Sequence, residues 1–378
     1  MNKKVVIVIK WVSHYRLSFY ERLKEELESN GVELVLVYGE PVTSFDRSRK
    51  DWVDVAWGHK IQNVGVGKAI WQPAFPYLKN TDLIVVEQAN KLLLNYVLQF
   101  KRLLGNKGHL AFWGHGKNYQ ADNTILSKIN ERVKEDLLCR VDWWFTYTEH
   151  CKNDIRERGF DVHRITNVEN AIDVDELKRH LSEVSKQDVF NFRKKYHIGE
   201  CNIGVFCGGL FKEKRLPFLL KAALKIRENI NDFELIIIGA GTDQGYVEKL
   251  ARDYPWVHYL GPLFGKEKVV AMSLAQVYMM PGLIGLGVLD AFALKLPVMT
   301  TKFEYHSPEI AYVKHEENGL IIDGDAKVYG QAVAELLRNE NTLESLRKGC
   351  EKSSEELTTK NMSKRFASGV LAFFVQDS

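Results

Sequence analysis

Short runs of β-branched and other apolar residues alternate along this chain with amphipathic stretches of helical length, and few folds accommodate that alternation. The first series reads VVIVI (5–9), a helical stretch 16–29, ELVLVY (33–38), DLIVVE (82–87), a helix near 90–104, LAFWG (110–114), a helix near 124–137, WWFTY (143–147), a helix near 149–158 and HRITN (163–167). A polar helical stretch, 174–195, then precedes a second series: IGVFCG (203–208), a helix 215–227, ELIIIG (234–239), a helix 243–252, VHYLG (257–261), a helix 266–274, QVYMM (276–280), a helix from about 286, and LPVMTT (296–301). Strand–helix–strand order of this kind predicts parallel sheets covered by helices. With 378 residues the chain has length for two such domains. The expected architecture is α/β: residues 1–172 and 173–358 as two Rossmann-like, doubly wound domains, and 359–378 as a helix crossing back to the first. Ligands in open parallel sheets sit at the carboxyl ends of the strands, so the expected site is a cleft between the two domains.

Charge and cysteine usage narrow the function classes. Lys and Arg total 52 against 49 Asp and Glu, a net charge of +3 that gives no reason to expect a nucleic-acid partner. Cys139, Cys151, Cys201, Cys207 and Cys350 are scattered with no CxxC pair, which fits reduced thiols in a cytoplasmic protein. Five apolar residues between Lys4 and Lys10 are too few for the apolar region of a signal peptide. The basic-flanked segment 91–104, KLLLNYVLQFKRLL, reads either as a buried helix with charged ends or as a peripheral docking face for an anionic membrane.

Three glycine-rich turns of the second series point to phosphate chemistry. In PGLIGLGVLD (281–290), Gly282, Gly285 and Gly287 either let the backbone approach a diphosphate or merely serve a tight strand-to-helix turn. CGGLFKEK (207–214) places Gly208, Gly209 and Lys214 after the first strand of that series, where an amine can neutralise phosphate, and Gly239-Ala-Gly241 closes the next strand. In the first series, Gly114-His115-Gly116 follows a strand, and Trp11-Val-Ser-His-Tyr-Arg16 follows the opening one.

In this order the pieces resemble glycosyltransferase family 4, nucleotide-sugar enzymes of the GT-B fold. Gly208-Gly209-Leu210-Phe-Lys-Glu-Lys214 stands where the family has Gly-Arg-Leu-x-x-x-Lys, and Asp290-Ala-Phe-Ala-Leu-Lys-Leu-Pro297-Val298 where it has Glu-Ala-Met-Ala-x-Gly-x-Pro-Val. Pro308-Glu309-Ile310, Asn318-Gly319-Leu320 and Asn170-Ala-Ile-Asp173 match further family elements. The resemblance implies a retaining, metal-independent transfer with no cofactor beyond a nucleotide-sugar co-substrate, UDP- or GDP-linked. The expected acceptor is a glycan, free or lipid-linked, in cell-surface polysaccharide synthesis, or another glycan. It further implies that His115, Lys214 and Glu309 serve catalysis, and that Gly208, Gly209, Lys214, Gly261, Leu263, Gly282, Ile284, Gly285, Leu286, Gly287, Asp290, His306, Ser307 and Glu309 hold the donor, Asp290 through its ribose hydroxyls. Trp11, His14, Tyr15, Arg16, Glu87, Trp113 and Asn118 are the acceptor-side candidates.

The departures from the family pattern are as specific as the matches. Gly209 replaces its arginine, the residue eight before Asp290 is Gly282 rather than a second carboxylate, and the glycine-rich loop after the first strand is absent. Those losses keep two other readings open: a non-catalytic GT-B module that binds nucleotide or glycan, and a sugar-nucleotide epimerase of the same fold. A dinucleotide-dependent dehydrogenase fits poorly, because no GxGxxG follows the first strand.

Overall fold

A strand whose every residue is apolar is stable only with both faces covered, and Val5, Val6, Ile7, Val8 and Ile9 are all buried to 3% exposure or less. The computed structural model describes residues 3–43, 52–105, 108–116, 139–200 and 202–377. Two compact units emerge, Met1–Asp173 with Thr359–Ser378, and Val174–Thr358. The helix expected near 124–137 lies outside the described residues.

In the first unit, Lys3–Ile9 lies inside a sheet of order 165–167, 143–146, 109–114, 83–87, 3–9, 32–38 and 59–60, with every pairing parallel. Side-chain alternation splits the core in two: Val5, Ile7 and Ile9 join one cluster and Val6 and Val8 the other. The final helix, Thr359–Gln376, covers the first of these faces through Met362, Phe366, Val370 and Phe373. Its Phe366 ring stacks on Phe145 at 4.0 Å and 4°. Gly369 is the point of closest approach, since a Cβ there would lie 2.3 Å from Thr166 Oγ1.

The second unit repeats the plan with the order 257–261, 234–238, 203–207, 277–279, 298–301 and 319–322, again all parallel. Both sheets therefore reverse strand order beside their first strand, which makes each unit Rossmann-like and doubly wound.

Several elements differ from expectation. The stretch 174–195 is two helices, Asp175–Ser182 and Lys186–Tyr196, parted because Ser185 and Asp188 form a capping box that starts a new helix. Short pairs such as Val64–Val66 with Ala69–Trp71 occupy a region where no strand was foreseen, because runs of two or three residues carry too little periodicity to read. The edge strand Gly319–Ile322 and helices Ala326–Arg338 and Glu340–Glu356 were likewise unplaced.

Phe366 is fully buried against Phe19, Trp113 and Phe145. Phe366→Ala should destabilise the first unit by about 3–5 kcal/mol, the usual cost of such a cavity. Denaturant unfolding followed by tryptophan fluorescence checks this, and a loss under about 1 kcal/mol would contradict the assigned packing.

Candidate functional site

The strand-order reversal of the second unit falls between Ile203–Cys207 and Val277–Met279, and the loops leaving those two carboxyl ends diverge around the site. Hydrogen bonds lock the two loops together. Lys214, closing the turn Lys212–Lys214, is 7% exposed and donates from Nζ to the Leu283 carbonyl at 2.6 Å. The Leu283 amide returns a bond to the Glu213 carbonyl at 2.9 Å. Gly282 lies inside this crossing, where a Cβ would sit 2.2 Å from Glu213 O. Its glycine is thus required by chain against chain, whereas a Cβ on Gly285 would meet nothing within 4 Å. The expected ligand approach along this loop therefore narrows to its far half.

Adjacent residues brace the crossing. Arg215 takes the left-handed backbone at φ 56 and donates to the Pro281 carbonyl and to Thr301 Oγ1, while Thr301 Oγ1 donates to the same carbonyl at 2.7 Å. A third loop joins through His306, whose Nδ1 accepts from the Ile284 amide at 3.0 Å. Its Nε2 then carries the proton and donates to the Thr301 carbonyl at 2.9 Å. Burial pushes this imidazole's pKa down, so the neutral ring is the stable form. Ser307 adds a backbone bond to the Ile284 carbonyl. Both ring nitrogens of His306 bond backbone, so the ring ties its own loop to Ile284 and Thr301. With the amides of Leu283 and Ile284 engaged, those of Gly285, Leu286 and Gly287 remain without a backbone partner among the described residues.

The charges of the site are desolvated. Burial pushes the Lys214 amine down to about 8, against an upward pull from Cys207 and Glu309. Glu309 is itself 5% exposed, in the turn Pro308–Tyr312. Asp290, in the short helix Gly287–Ala293, receives Lys268 Nζ on Oδ2 at 2.5 Å. Burial alone would lower the Lys268 amine, but the Asp290 carboxylate and Cys207 more than offset it and raise it. Cys207 feels Lys268, Asp290 and Lys214 together, and burial holds its thiol up at about 11.

A second amine, Lys268, reaches the neighbourhood of Lys214; it sits on the helix Gly265–Ser273, where nothing in the sequence marks it. Asp290 is already in an ion pair, so any ribose it holds must share its carboxylate with Lys268. The position of the family's arginine also has a physical account: a Cβ on Gly209 would lie 2.6 Å from the Phe211 ring, which fills that space. Gly208 and Gly261 flank the neighbouring strand end, where Gly239 bonds the Gly261 carbonyl and Leu263 follows half-buried.

The first unit has its own cavity, of about 210 Å³, at its strand-order reversal between Lys3–Ile9 and Leu83–Glu87. Trp11, Tyr15, Arg16, Glu87 and Trp113 line it as acceptor-side candidates, joined by Lys10, Tyr20 and Tyr147, which sequence reasoning missed. Trp113 contributes an edge while staying buried against Phe19 and Phe366. His14 is exposed and outside this lining, as is half-buried His115, whose ring stands 6.1 Å from Tyr147. Asn118 lies outside the described residues.

Comparison with known proteins places the second unit. Residues 201–339 match the family described as Glycosyl transferases group 1. A GDP-mannose-dependent alpha-(1-6)-phosphatidylinositol monomannoside mannosyltransferase of Mycobacterium tuberculosis is 31% identical over 159 residues, 38% of this chain and 40% of the relative. The chain thus matches well under half of that relative's length. Among solved structures, Anabaena Alr3699/HepE in complex with UDP superposes with a TM-score of 0.71 at 13% identity, over 98% of this chain and 100% of the other. A glycosyltransferase from Rickettsia africae ESF-5 gives 0.72 at 11% identity, over 100% of both chains. Residues 201–339 are thus similar to the Glycosyl transferases group 1 family, and the chain shares the two-unit GT-B fold of these solved structures.

Proposed function

We propose that this protein is a retaining, metal-independent glycosyltransferase that moves a sugar from a UDP- or GDP-linked donor to a glycan acceptor, lipid-linked and destined for cell-surface polysaccharide. The observation that carries the reading is the buried Lys214 amine at the locked crossing of the 208–214 and 281–287 loops, inside the domain matched to the family. Negative charge grows on the leaving diphosphate as the anomeric bond breaks, and a preorganised, desolvated cation stabilises it strongly. Lys214 and the amides of Gly285, Leu286 and Gly287 would meet that charge, and Lys268 would add to the field. Asp290 would accept from a ribose hydroxyl, and Glu309 would hold hydroxyls of the transferred sugar. In a same-face transfer the acceptor hydroxyl attacks the anomeric carbon as the bond to the diphosphate breaks. The leaving phosphate oxygen takes the hydroxyl proton, so no protein nucleophile is needed.

The ion pair on Asp290 and the occupied arginine position favour a second reading, a domain that binds a nucleotide without transfer. Calorimetry with UDP, GDP, ADP and CMP tests the first step. One nucleotide should bind selectively, and Lys214→Ala should weaken it at least about tenfold, as expected for losing a charged hydrogen bond. Hydrolysis or transfer from the matching nucleotide sugar, unchanged by EDTA, would support catalysis. Tight binding with no turnover for any sugar would establish the second reading instead, and no nucleotide binding would sink both.

The pKa of Lys214 gives this binding a pH dependence. The free amine loses its proton near pH 8, and a bound diphosphate favours the charged form, so binding takes up a proton above that value. Affinity should be flat from about pH 7 to 7.5 and then fall by up to roughly tenfold per pH unit, a slope set by one linked proton. Lys214→Ala should abolish the slope, and a wild-type profile flat to pH 9.5 would contradict it.

Peripheral membrane contact belongs to the same proposal. Among the described residues no helix is long and apolar enough to cross a bilayer. Helix Leu93–Leu103 nonetheless ends in Phe100 and Leu103, followed by Leu104, each about three-fifths exposed or more, beside Lys101. The protein should co-sediment with phosphatidylglycerol vesicles more than with phosphatidylcholine vesicles, and Phe100→Ser with Leu104→Ser should remove that difference. Equal recovery from both vesicle types would rule the contact out.

A further inference from the structure

The cavity of the first unit holds a charge that the fold leaves uncompensated. Arg16 is 8% exposed, yet among the described residues it makes no ion pair with any carboxylate. Its guanidinium lies against three rings, 4.9 Å from the centre of Trp113 and 5.5 Å from those of Tyr15 and Tyr147, and touches the Met362 sulfur at 3.9 Å. Cation–π contact, a side-chain bond with Tyr15 and the Nη1 contact to the Met362 sulfur return part of the cost of dehydrating a guanidinium, and none of them supplies a counter-charge. Glu87, the carboxylate of the lining, is taken elsewhere: Oε1 receives Lys10 Nζ at 2.5 Å and Oε2 receives the Lys10 amide at 3.2 Å. Trp113 Nε1 is also buried without an acceptor. The lining therefore carries two cations, Lys10 and Arg16, against one anion, Glu87.

We propose that this cavity recognises the anionic group of a sugar, a carboxylate or a phosphate ester, by charge-assisted hydrogen bonds from Arg16, with Tyr15 and Trp11 flanking the ring. A planar guanidinium matches both oxyanions bidentately, and the surrounding aromatic walls exclude water that would weaken the pair. At about 210 Å³ the space suits one sugar-sized group and is small for a whole nucleotide. Naming the bound molecule as the acceptor rests on the transferase reading; the anion site itself does not, so it is tested by binding without turnover.

Calorimetry and saturation-transfer NMR with glucuronate, glucose 1-phosphate and glucose on the full chain make the test. At least one of the two anionic sugars should bind about tenfold or more tightly than glucose, the ratio expected when one charged hydrogen bond decides affinity. Whichever binds tells carboxylate from phosphate. Arg16→Gln should abolish that preference while leaving nucleotide binding by the second unit unchanged. Near-UV circular dichroism reports whether the tryptophan-rich first unit is still folded. If that variant fails to fold, Arg16→Lys, which keeps the charge and loses the fork, and Lys10→Met should each still reduce the preference. Glucose binding as well as either anion, no saturable binding by any of the three sugars, or an undiminished preference in folded Arg16→Gln would each overturn the proposal. Failure of nucleotide binding alone would remove the transferase reading and leave the anion site standing.

Discussion

The contact on which the candidate site depends is the bond from the Lys214 amine to the Leu283 carbonyl. It spans two loops that leave neighbouring parallel strands and have no other reason to meet, since strand-order reversal sends the following helices to opposite sides. Once the bond and its backbone partner from Leu283 to Glu213 are made, Gly282 is confined to a crossing that admits no Cβ. Arg215, Thr301 and His306 then extend the lock to a third loop. A rigid floor results, with an amine held out of water and one stretch of free amides beside it. The cost is the desolvation that brings that amine down to about 8, which an anion bound beside it would offset.

The two units solve the same topological problem with different chemistry. In the second, the reversal point is covered by glycine-rich loops whose backbones cross, and its charges come from lysines on separate elements. In the first, no glycine loop follows the opening strand; a turn, His14–Arg16, delivers an arginine into an aromatic box built from the strand end at Trp113 and from Tyr147. The last helix, returning to this unit, places the Met362 sulfur against the guanidinium and the Phe366 ring behind Trp113. An arginine set among three rings and bonded through Nη1 to the Met362 sulfur is held in one place without a carboxylate partner among the described residues.

The fold was largely legible because buried parallel strands must be nearly continuous apolar runs, and those of 5–9, 33–38, 203–208 and 234–239 are long enough to stand out. The two- and three-residue strands of 52–71 were not, for the same reason in reverse. At the site, the glycine-rich turns around Lys214 and Ile284 stand out in the sequence, and the structure joins them through Lys214 to Leu283 and Ile284 to His306. What local sequence does not encode is who pairs with whom. Lys268 and Asp290 are 22 residues apart on different helices, and the occupation of both His306 nitrogens is a property of three loops at once. Gly282 shows the limit most directly, since a glycine required by an approaching carbonyl reads the same as one required by an approaching phosphate.

The departures from the family pattern therefore belong to one rearrangement. With the Phe211 ring 2.6 Å from a Cβ at 209, a side chain there requires that ring to move, and a second amine, Lys268, reaches the Cys207 neighbourhood from another helix. An amine at 268 needs a counter-charge when no ligand is bound, and Asp290 provides it at 2.5 Å. On the proposed reading, a ribose hydroxyl bonded to Asp290 would compete with Lys268 for its carboxylate and leave that amine freer to meet the diphosphate. Coupling of this kind would link recognition of the nucleoside to the charge available at the leaving group, a link that a free carboxylate and a fixed arginine would lack.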